Sequence, residues 1–484
     1  MERGSQEREL SGYDVVIVGA GPAGLFAALE LMKTHKVAIL DAGKPLVRKS
    51  CPLMTEKFCT NCKPVCHIMG GFGGAQFFQG TKLARYPAGR AMLDFVNKVD
   101  ELENLYDEID KRLESYGKFS RPIPDPEKLA QLQSDCENLG LGFRYYNSQK
   151  VSRSEMNSIG NGIWEELHKG GVDFYEKSLV SQIEKINSHF LLTTKRKQFL
   201  SPIVILALGR VGARSMVGFA DALGLEYEAI SPEEIEIGIR IETPYHVFDQ
   251  IDGVHNDLKV TKDLGEQGVL KTFCQEYRGF LTKCCYNLYK EDSFSTIDGY
   301  ILGTHDVEPE TRSEVSNLGI HHGFKPTGTL QESYEMVRRI SAKKQPIFQS
   351  MKGFLKGVVD GGFSVEPSMP DAELEDINKF LPIYSAKVIK DFIYTLDKIL
   401  PGISDGGNIV YAPSFELGAI KMKISSEFES NISGLYIGGD AAGHIRGSMQ
   451  AMASGTLIGR HILRKKKGKN LVPNVNCFAQ VLQF

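Results

Sequence analysis

Residues Tyr13 to Gly24 read Tyr-Asp-Val-Val-Ile-Val-Gly-Ala-Gly-Pro-Ala-Gly, and this stretch decides the fold. The β-branched run that ends at Val18 is typical of a buried parallel strand. Gly19 permits a tight turn, Gly21 lets the backbone approach a pyrophosphate, and Gly24 lets the next helix pack closely on the strand. The pattern therefore predicts a dinucleotide-binding turn, and an ordinary glycine-rich turn is the alternative.

The residues after this turn complete a βαβ unit. A helix is predicted from Leu25 to about Lys33, and the apolar run from Val37 to Leu40 predicts a second buried strand. That strand ends on Asp41, which comes 22 residues after Gly19. An acidic residue at this place is expected to accept hydrogen bonds from a ribose diol. Strand, turn, helix, strand and acid together are a much stronger signal than the glycines alone.

The composition excludes several classes of protein. The chain has 484 residues, 42% of them hydrophobic and 24% charged, which argues against a disordered chain or a disulfide-framed miniprotein. The 57 Lys and Arg against 60 Asp and Glu give a net charge of −3, so no nucleic-acid partner is expected and a small, mostly neutral molecule is the default partner. No apolar run is long enough to cross a bilayer, so we expect no membrane insertion and a cytoplasmic location.

The strand-like segments of the nucleotide-binding pattern recur along the chain. Ile203 to Leu206 leads into Ala207-Leu208-Gly209, and a later strand leads into Gly439-Asp440. Between them, the pattern from about Ile235 onwards mixes strands and loops without a second glycine fingerprint. The predicted divisions are a first nucleotide-binding part (1–90), a helical insertion and linker (91–170), a second nucleotide-binding part (171–234), a substrate domain (235–400) and a third nucleotide-binding part with a C-terminal helix (401–484).

A cluster of cysteines follows the first βαβ unit. Cys51, Cys59, Cys62 and Cys66, with His67 beside them, are ligand types that zinc or an iron–sulfur cluster accepts, although the spacing is not that of a standard zinc finger. A redox-active dithiol and reduced structural cysteines are the alternatives. The total of nine cysteines is odd, which does not fit a secreted disulfide frame.

Five elements carry a resemblance over nearly the whole chain. Besides the first turn, they are the cysteine strip, the glycine-rich stretch Gly70 to Ala75, Ile237 to Pro244, Lys271 to Cys274, and Gly439-Asp440. With these elements the sequence resembles FAD-dependent oxidoreductases of the two-dinucleotide-binding-fold type. More narrowly, it resembles the poorly characterised bacterial FAD-utilising dehydrogenases that carry a cysteine-rich strip and a glycine-rich loop. The resemblance implies an α/β fold, with a discontinuous Rossmann-like FAD-binding domain and an inserted mixed α+β substrate domain.

The resemblance also implies roles for particular residues. Asp440 is expected to bind the ribityl or pyrophosphate part of FAD, and the helix that begins near Ser448 is expected to point at the pyrimidine side of the flavin. Because reduced flavin is negatively charged there, a helix N-terminus and the Arg446 guanidinium would stabilise it. The residues expected to contact FAD are Gly19, Gly21, Pro22, Ala23, Gly24, Asp41, Ala42, Gly73, Gly74, Val180, Ala207, Gly209, Gly439, Asp440, Arg446, Gly447 and Ser448.

The glycine-rich loop is expected to lie against the flavin. The glycines between Gly70 and Gly74 allow close backbone approach, so a planar isoalloxazine fits there, with Gln76 near its polar edge. A mobile loop is the alternative.

The expected reaction moves a hydride between flavin and a small organic substrate, favouring a dehydrogenase or oxidase of a C–C or C–N bond. His444 and Arg446 are the first candidates for catalytic groups, and weaker ones are His321, His322, Tyr277 and Arg278. Reoxidation is expected to use dioxygen, a transiently bound NAD(P)H/NAD(P) couple or a carrier protein, since no second nucleotide fingerprint is present. The alternatives are a monooxygenase or double-bond reductase that uses NAD(P)H, and an RNA-modifying or scaffolding flavoprotein.

Overall fold

A computed structural model describes residues 9–52, 60, 62–117, 121, 123–228, 236–279, 281–284, 300–303, 313–323, 346–416 and 420–468. Cys59 of the predicted metal site lies outside these residues.

The helices, in chain order, are α1 (Pro22–Leu31), α2 (Gln76–Gln79), α3 (Leu93–Val96), α4 (Val99–Glu114), α5 (Pro126–Asn138), α6 (Arg153–Lys169), α7 (Ala213–Leu223), α8 (Met351–Lys356), α9 (Ile383–Leu396) and α10 (Ser448–Gly468). The strands are β1 (Glu9–Gly12), β2 (Val15–Val18), β3 (Val37–Leu40), β4 (Thr81–Ala84), β5 (Gly142–Phe143), β6 (Ser148–Val151), β7 (Asp173–Tyr175), β8 (Val180–Ile186), β9 (His189–Thr194), β10 (Lys197–Ser201), β11 (Ile203–Leu206), β12 (Tyr227–Glu228), β13 (Glu236–Pro244), β14 (Val260–Asp263), β15 (Val269–Glu276), β16 (Leu281–Cys284), β17 (Tyr300–Gly303), β18 (Val315–Gly323), β19 (Ile347–Ser350), β20 (Glu373–Leu374), β21 (Ile409–Glu416), β22 (Lys421–Met422) and β23 (Leu435–Ile437).

A five-stranded parallel sheet forms the nucleotide-binding domain, in the order β23-β11-β2-β3-β7. Its strands come from distant parts of the chain, which confirms the predicted discontinuous α/β domain. The residues of β2 and β3 are all buried, because helices cover both faces of a parallel sheet. All the strand pairs are parallel, so their carboxyl ends meet at one edge.

Helices α1 and α10 pack directly on each other beside this sheet. A Cβ atom at Gly455 would lie 2.0 Å from the carbonyl oxygen of Ala23, so only glycine allows this approach. One turn further along α10, a Cβ atom at Gly459 would lie 2.6 Å from the Cβ atom of Glu30. The glycines at positions 455 and 459, on one face of α10, therefore serve helix packing.

An eight-stranded sheet forms the inserted domain, in the order β20-β19-β21-β13-β18-β15-β14-β5. Ile237, Ile239 and Ile241 of β13 belong to an apolar core that includes residues of α9. The alternate residues of β13, among them Glu236 and Arg240, lie on the opposite face of the sheet, because side chains alternate along a strand.

The borders of the inserted domain differ from the predicted ones. Strand β21 lies beyond residue 400, yet it pairs with β13 and β19 inside this sheet. Strand β5, from the predicted helical insertion, forms the opposite edge of the sheet. Strand pairing between distant segments leaves no local signal in the sequence. The predicted borders of the substrate domain, 235–400, therefore exclude both strands.

Among the helices that the structure describes, none combines the length and the apolarity needed to cross a membrane.

Candidate functional site

The first turn of the chain has the geometry of an anion-binding turn. Gly19 has φ +110°, and a Cβ atom there would lie 2.2 Å from the carbonyl oxygen of Ala207, so the position requires glycine. Gly24 packs against the backbone of Gly19, as predicted from the motif. Helix α1 begins after Gly21 with no side-chain cap and no acidic residue in its first turn. Its free N–H groups and positive dipole end are therefore available for a negatively charged group.

Asp41 ties three loops together at the end of β3. Its Oδ2 accepts a hydrogen bond from the backbone N–H of Ala20 at 2.8 Å. Its Oδ1 accepts from the N–H groups of Gly43 at 2.7 Å and Gly71 at 2.9 Å. The carboxylate thus fastens the glycine-rich loop to the dinucleotide turn, and binding of a ribose by Asp41 stays a prediction.

The glycine-rich loop is held at two further points. The N–H of Gly73 donates to the carbonyl oxygen of Ala20 at 2.7 Å. The buried Lys49 ammonium donates to the carbonyl oxygens of Phe72, at 3.3 Å, and of Gly74. Burial lowers the pKa of Lys49 to about 8, while the charge of Asp41 opposes that shift.

Opposite this loop, two guanidinium groups share one buried carboxylate. Arg210 donates to Asp440 Oδ2 at 2.9 Å and to both oxygens of Glu416, at 3.2 and 3.3 Å. Arg446 donates to Glu416 Oε2 at 2.6 Å. Burial alone would raise the pKa of Glu416, but the charges of Arg210 and Arg446 hold it far below its usual range. Glu416 is therefore ionised and fixes both guanidinium groups beside Asp440.

The N-terminus of α10 closes the other end of the site. Ser448 Oγ lies 3.3 Å from Thr81 Oγ1, and the Thr81 hydroxyl donates to the side chain of Gln76. These contacts bring the start of α10, the end of the glycine-rich loop and β4 together. A ligand that reaches this end therefore meets a helix N-terminus on one side and Gln76 on the other.

All these elements line one cleft of about 340 Å³. The predicted contact residues in its lining are Gly19, Gly21, Pro22, Ala23, Asp41, Ala42, Gly74, Val180, Gly209, Gly439, Asp440, Arg446, Gly447 and Ser448. Gly24, Gly73 and Ala207 lie behind this wall: they pack or hydrogen-bond against the turn at Gly19 and Ala20.

Two charged residues of the lining, Arg210 and Glu416, are not among the site residues predicted from the sequence. Arg210 follows Gly209 directly, so its position at a strand end was a usable signal. Glu416 lies at the end of a strand of the inserted domain, and no motif marks it.

The histidine candidates lie in different surroundings. His444 Nε2 lies 3.0 Å from the carbonyl oxygen of Met422, and its ring contacts Phe95, which places it outside the cleft lining. His322 is buried between Ser385 and the carbonyl oxygen of Gln267. His321 Nε2 lies 2.8 Å from Ser414 Oγ on the polar face of the eight-stranded sheet. Only Arg446 of the two first catalytic candidates therefore borders the cleft.

Tyr277 and Arg278 make surface contacts. The Tyr277 hydroxyl donates to Asp249 at 2.8 Å, and Arg278 donates to the exposed Glu314 at 2.8 Å. Both side chains are thus engaged away from the cleft lining.

The cysteine strip forms no recognisable metal centre in the described part of the chain. Cys51, Cys62 and Cys66 are half-buried. No group of three or more His, Cys, Asp or Glu side chains that could hold a metal ion occurs among the described residues. Because Cys59 lies outside them, a metal at this strip stays a prediction.

Comparisons with known proteins give distant likenesses. No family model matches the chain. A protein of Clostridium beijerinckii with the name "Uncharacterized protein" is 22% identical in an alignment that covers 93% of this chain and 80% of that protein.

Three solved structures are among those similar to the chain. A flavoprotein/dehydrogenase from Cytophaga hutchinsonii has a TM-score of 0.39 and 12% identity, with 95% of this chain and 80% of that one covered. A glycine oxidase from Geobacillus kaustophilus has a TM-score of 0.38 and 13% identity, with 94% of this chain and 95% of that one covered. The p-nitrophenol 4-monooxygenase from Pseudomonas putida DLL-E4 has a TM-score of 0.37 and 15% identity, with 95% of this chain and 82% of that one covered. Likenesses at this level assign the chain to no family.

Proposed function

We propose that the chain binds FAD in this cleft and acts as an FAD-dependent oxidoreductase on a small organic substrate. The observation that carries the proposal is the continuity of the cleft. It joins an anion-binding turn at Gly19, an acid at Asp41, a second acid at Asp440 and a helix N-terminus at Ser448 in one lining. A dinucleotide with a flat, polar-edged ring needs these groups in this order.

The cleft has room where the cofactor backbone would run. A Cβ atom at Gly21 or at Gly209 would meet no atom within 4 Å, so both glycines border open space inside the lining. Side chains at these positions would occupy the cleft itself. The residues present therefore fit a ligand that lies directly on the backbone.

Each part of the lining then has a task. The N–H groups at the start of α1 bind the pyrophosphate, and Asp440 binds the ribityl or pyrophosphate part. Gln76 and the N-terminus of α10 orient the polar edge of the ring, and the positive end of α10 with Arg446 stabilises negative charge there. FAD supplies the hydride chemistry when bound, and the chain supplies position and electrostatics.

The favoured reaction is the oxidation of a C–C or C–N bond, as in a dehydrogenase or oxidase. A monooxygenase or a double-bond reductase shares the same cofactor site. Rapid reduction of the bound flavin by NADPH alone, followed in a stopped-flow spectrophotometer, would favour either of these over the dehydrogenase.

The cofactor assignment is tested by releasing and identifying the bound group. Purified protein is expected to show flavin absorption bands, and heat should release FAD that mass spectrometry identifies. The variant Gly21→Val, whose φ of −77° accepts a side chain, should lose FAD because the new side chain fills the cleft. The matched control Gly218→Val, on the exposed side of α7 with the same open space, should retain it. Equal FAD content in both variants would refute the proposal.

A further inference from the structure

A row of side chains crosses the polar face of the eight-stranded sheet. Arg240 of β13 pairs with Gly319 of β18, which pairs with Phe273 of β15. Thr261 of β14 pairs with Lys271 of β15, and this register, continued by two residues, places Lys259 opposite Phe273. The Lys259 ammonium lies 5.7 Å from the centre of the Phe273 ring, which agrees with that placement.

The row ends in two cations that face each other. Val260 pairs with Phe143, and the N–H of Arg144 donates to the carbonyl oxygen of Lys259 at 3.0 Å, so Arg144 continues the pairing directly opposite Lys259. Like charges at directly opposite positions of antiparallel strands destabilise the pairing. Such a pair therefore indicates a function that offsets its cost.

Neither cation has a carboxylate within 4 Å among the residues that the structure describes. Other lysines of the same region do have one: Lys82 lies 2.9 Å from Asp257, and Lys271 contacts Glu236. Within the described ranges, the Lys259 ammonium donates only to the carbonyl oxygen of Thr272, at 3.0 Å.

Burial and the charges of Lys271 and Arg144 together lower the pKa of Lys259 to about 8, although Asp257 and Glu236 oppose the shift. Burial and the charge of Arg90 likewise lower the pKa of Arg144. The pair of cations thus carries positive charge that its neighbours do not neutralise.

The polar face adjoins the cofactor cleft on two sides. His321, stacked on Phe273 with ring centres 4.6 Å apart, contacts Ser414, which precedes the cleft residue Glu416 by two positions. On the other side, Lys82 follows Thr81, whose hydroxyl lies against Ser448 at the start of α10. Lys82 in turn binds Asp257, two positions before Lys259, so contacts through Ser414 and through Lys82 connect the face with Lys259 to the ring end of the cleft.

We infer that Lys259 and Arg144 bind the negatively charged group of the substrate, so that the substrate is a small organic anion with a carboxylate or phosphate group. The inference rests on the proposed function and adds the substrate class to it. The half-buried ring of Phe273 lies beside Lys259 and offers an apolar wall for the remainder of the molecule. Charge-assisted hydrogen bonds from an ammonium and a guanidinium suit either anionic group.

The inference is tested by calorimetric titration of the purified protein with inorganic phosphate, acetate, benzoate and the neutral benzamide. At least one anion should bind, and benzamide should not. The variants Lys259→Met and Arg144→Met should each weaken the binding by about tenfold or more. The variant Lys33→Met, which changes an exposed lysine after α1, should leave it unchanged. The anion that binds identifies the group: acetate or benzoate indicates a carboxylate, and phosphate indicates a phosphoryl group.

A second readout separates binding from structural damage. Because Lys259→Met removes one of two facing like charges, this variant should have a higher melting temperature than the wild type. If Lys259 served only to bind the carbonyl oxygen of Thr272, the variant would have a lower melting temperature. Absence of binding by all three anions, or equal binding in the wild type and both methionine variants, would overturn the inference. FAD release is measured on the same preparations, so a protein that binds anions but no FAD refutes only the proposed function.

Discussion

Arg210 and Asp440, 230 residues apart in the sequence, meet in the lining of the cleft with 2.9 Å between Nε and Oδ2. They come together because β11 and β23 are parallel neighbours, so the loops after these strands leave the sheet at the same edge. Glu416, from the inserted domain, completes the contact. The Arg210 guanidinium therefore connects the nucleotide-binding domain with the inserted one.

Replacing Arg210 by Met should destabilise the protein by about 2 kcal/mol, because a buried carboxylate at Glu416 keeps only Arg446 as its cationic partner. A lower melting temperature than that of the wild type, measured by differential scanning fluorimetry, is the expected result. Arg278→Met, which removes a surface ion pair with Glu314, serves as the control and should change it little. Similar losses in both variants would contradict a special role for Arg210.

Replacing Asp41 by Asn should lower the melting temperature of the protein stripped of its cofactor. The amide offers only one acceptor oxygen, whereas the carboxylate accepts from Ala20, Gly43 and Gly71 on both of its oxygens. The expected loss is about 1–2 kcal/mol. If Asp41 served a ribose alone, the stripped variant would melt at the wild-type temperature.

Replacing Lys49 by Met should weaken FAD retention by about tenfold, since the carbonyl groups of Phe72 and Gly74 lose the ammonium that holds the glycine-rich loop. Lys36 also donates to a backbone carbonyl, that of Gly12, but it is exposed and distant from the loop. Lys36→Met should therefore retain FAD, as measured by fluorescence titration with the free cofactor. Equal affinities in the two variants would show that the loop needs no such anchor.

Glu242 should make stability depend on pH near neutrality. Burial raises its pKa to about 7, although hydrogen bonds from Ser368 and Tyr411 oppose the shift. The pKa of Glu242 in the folded protein lies above its pKa in the unfolded chain, about 4.5. Its contribution to the free energy of unfolding is therefore fully present below pH 4.5 and is lost as the pH rises to about 7.

The loss amounts to about 3 kcal/mol, since each pKa unit corresponds to about 1.4 kcal/mol. Glu242→Gln cannot ionise, so its melting temperature should fall less between these two pH values than that of the wild type. Parallel pH profiles for the two proteins would contradict the assignment.

The nucleotide-binding half of the fold could be predicted because its signals are local. The strands Val37–Leu40 and Ile203–Leu206 have the predicted bounds, and the turn at Gly19 has the strained backbone that its glycine implies. Asp440 follows a strand and lies in the cleft lining, and the role that the resemblance implied for it stays a prediction. Each of these features depends on residues that are close together in the sequence.

The rest depends on contacts between distant segments. Nothing near Glu416 in the sequence indicates that two guanidinium groups will converge on it. The pairing of Arg144 with Lys259 arises only because a two-residue strand joins the edge of the inserted sheet. His444 was chosen for its place after Gly439-Asp440, but the chain turns at Gly443, with φ +81°, and its ring then packs against Phe95.

The close packing of Gly455 against Ala23 bears on how the molecule matures during synthesis. A nascent chain on the ribosome that ends before Ser448 has already made α1 and all five strands of the parallel sheet, but it lacks the helix α10 that covers α1. The cleft beside its turn at Gly19 then lacks the part of the lining that Ser448 and Ala451 supply. Capture of a ligand in the cleft is therefore a late event, which follows translation of the helix that contains Gly455.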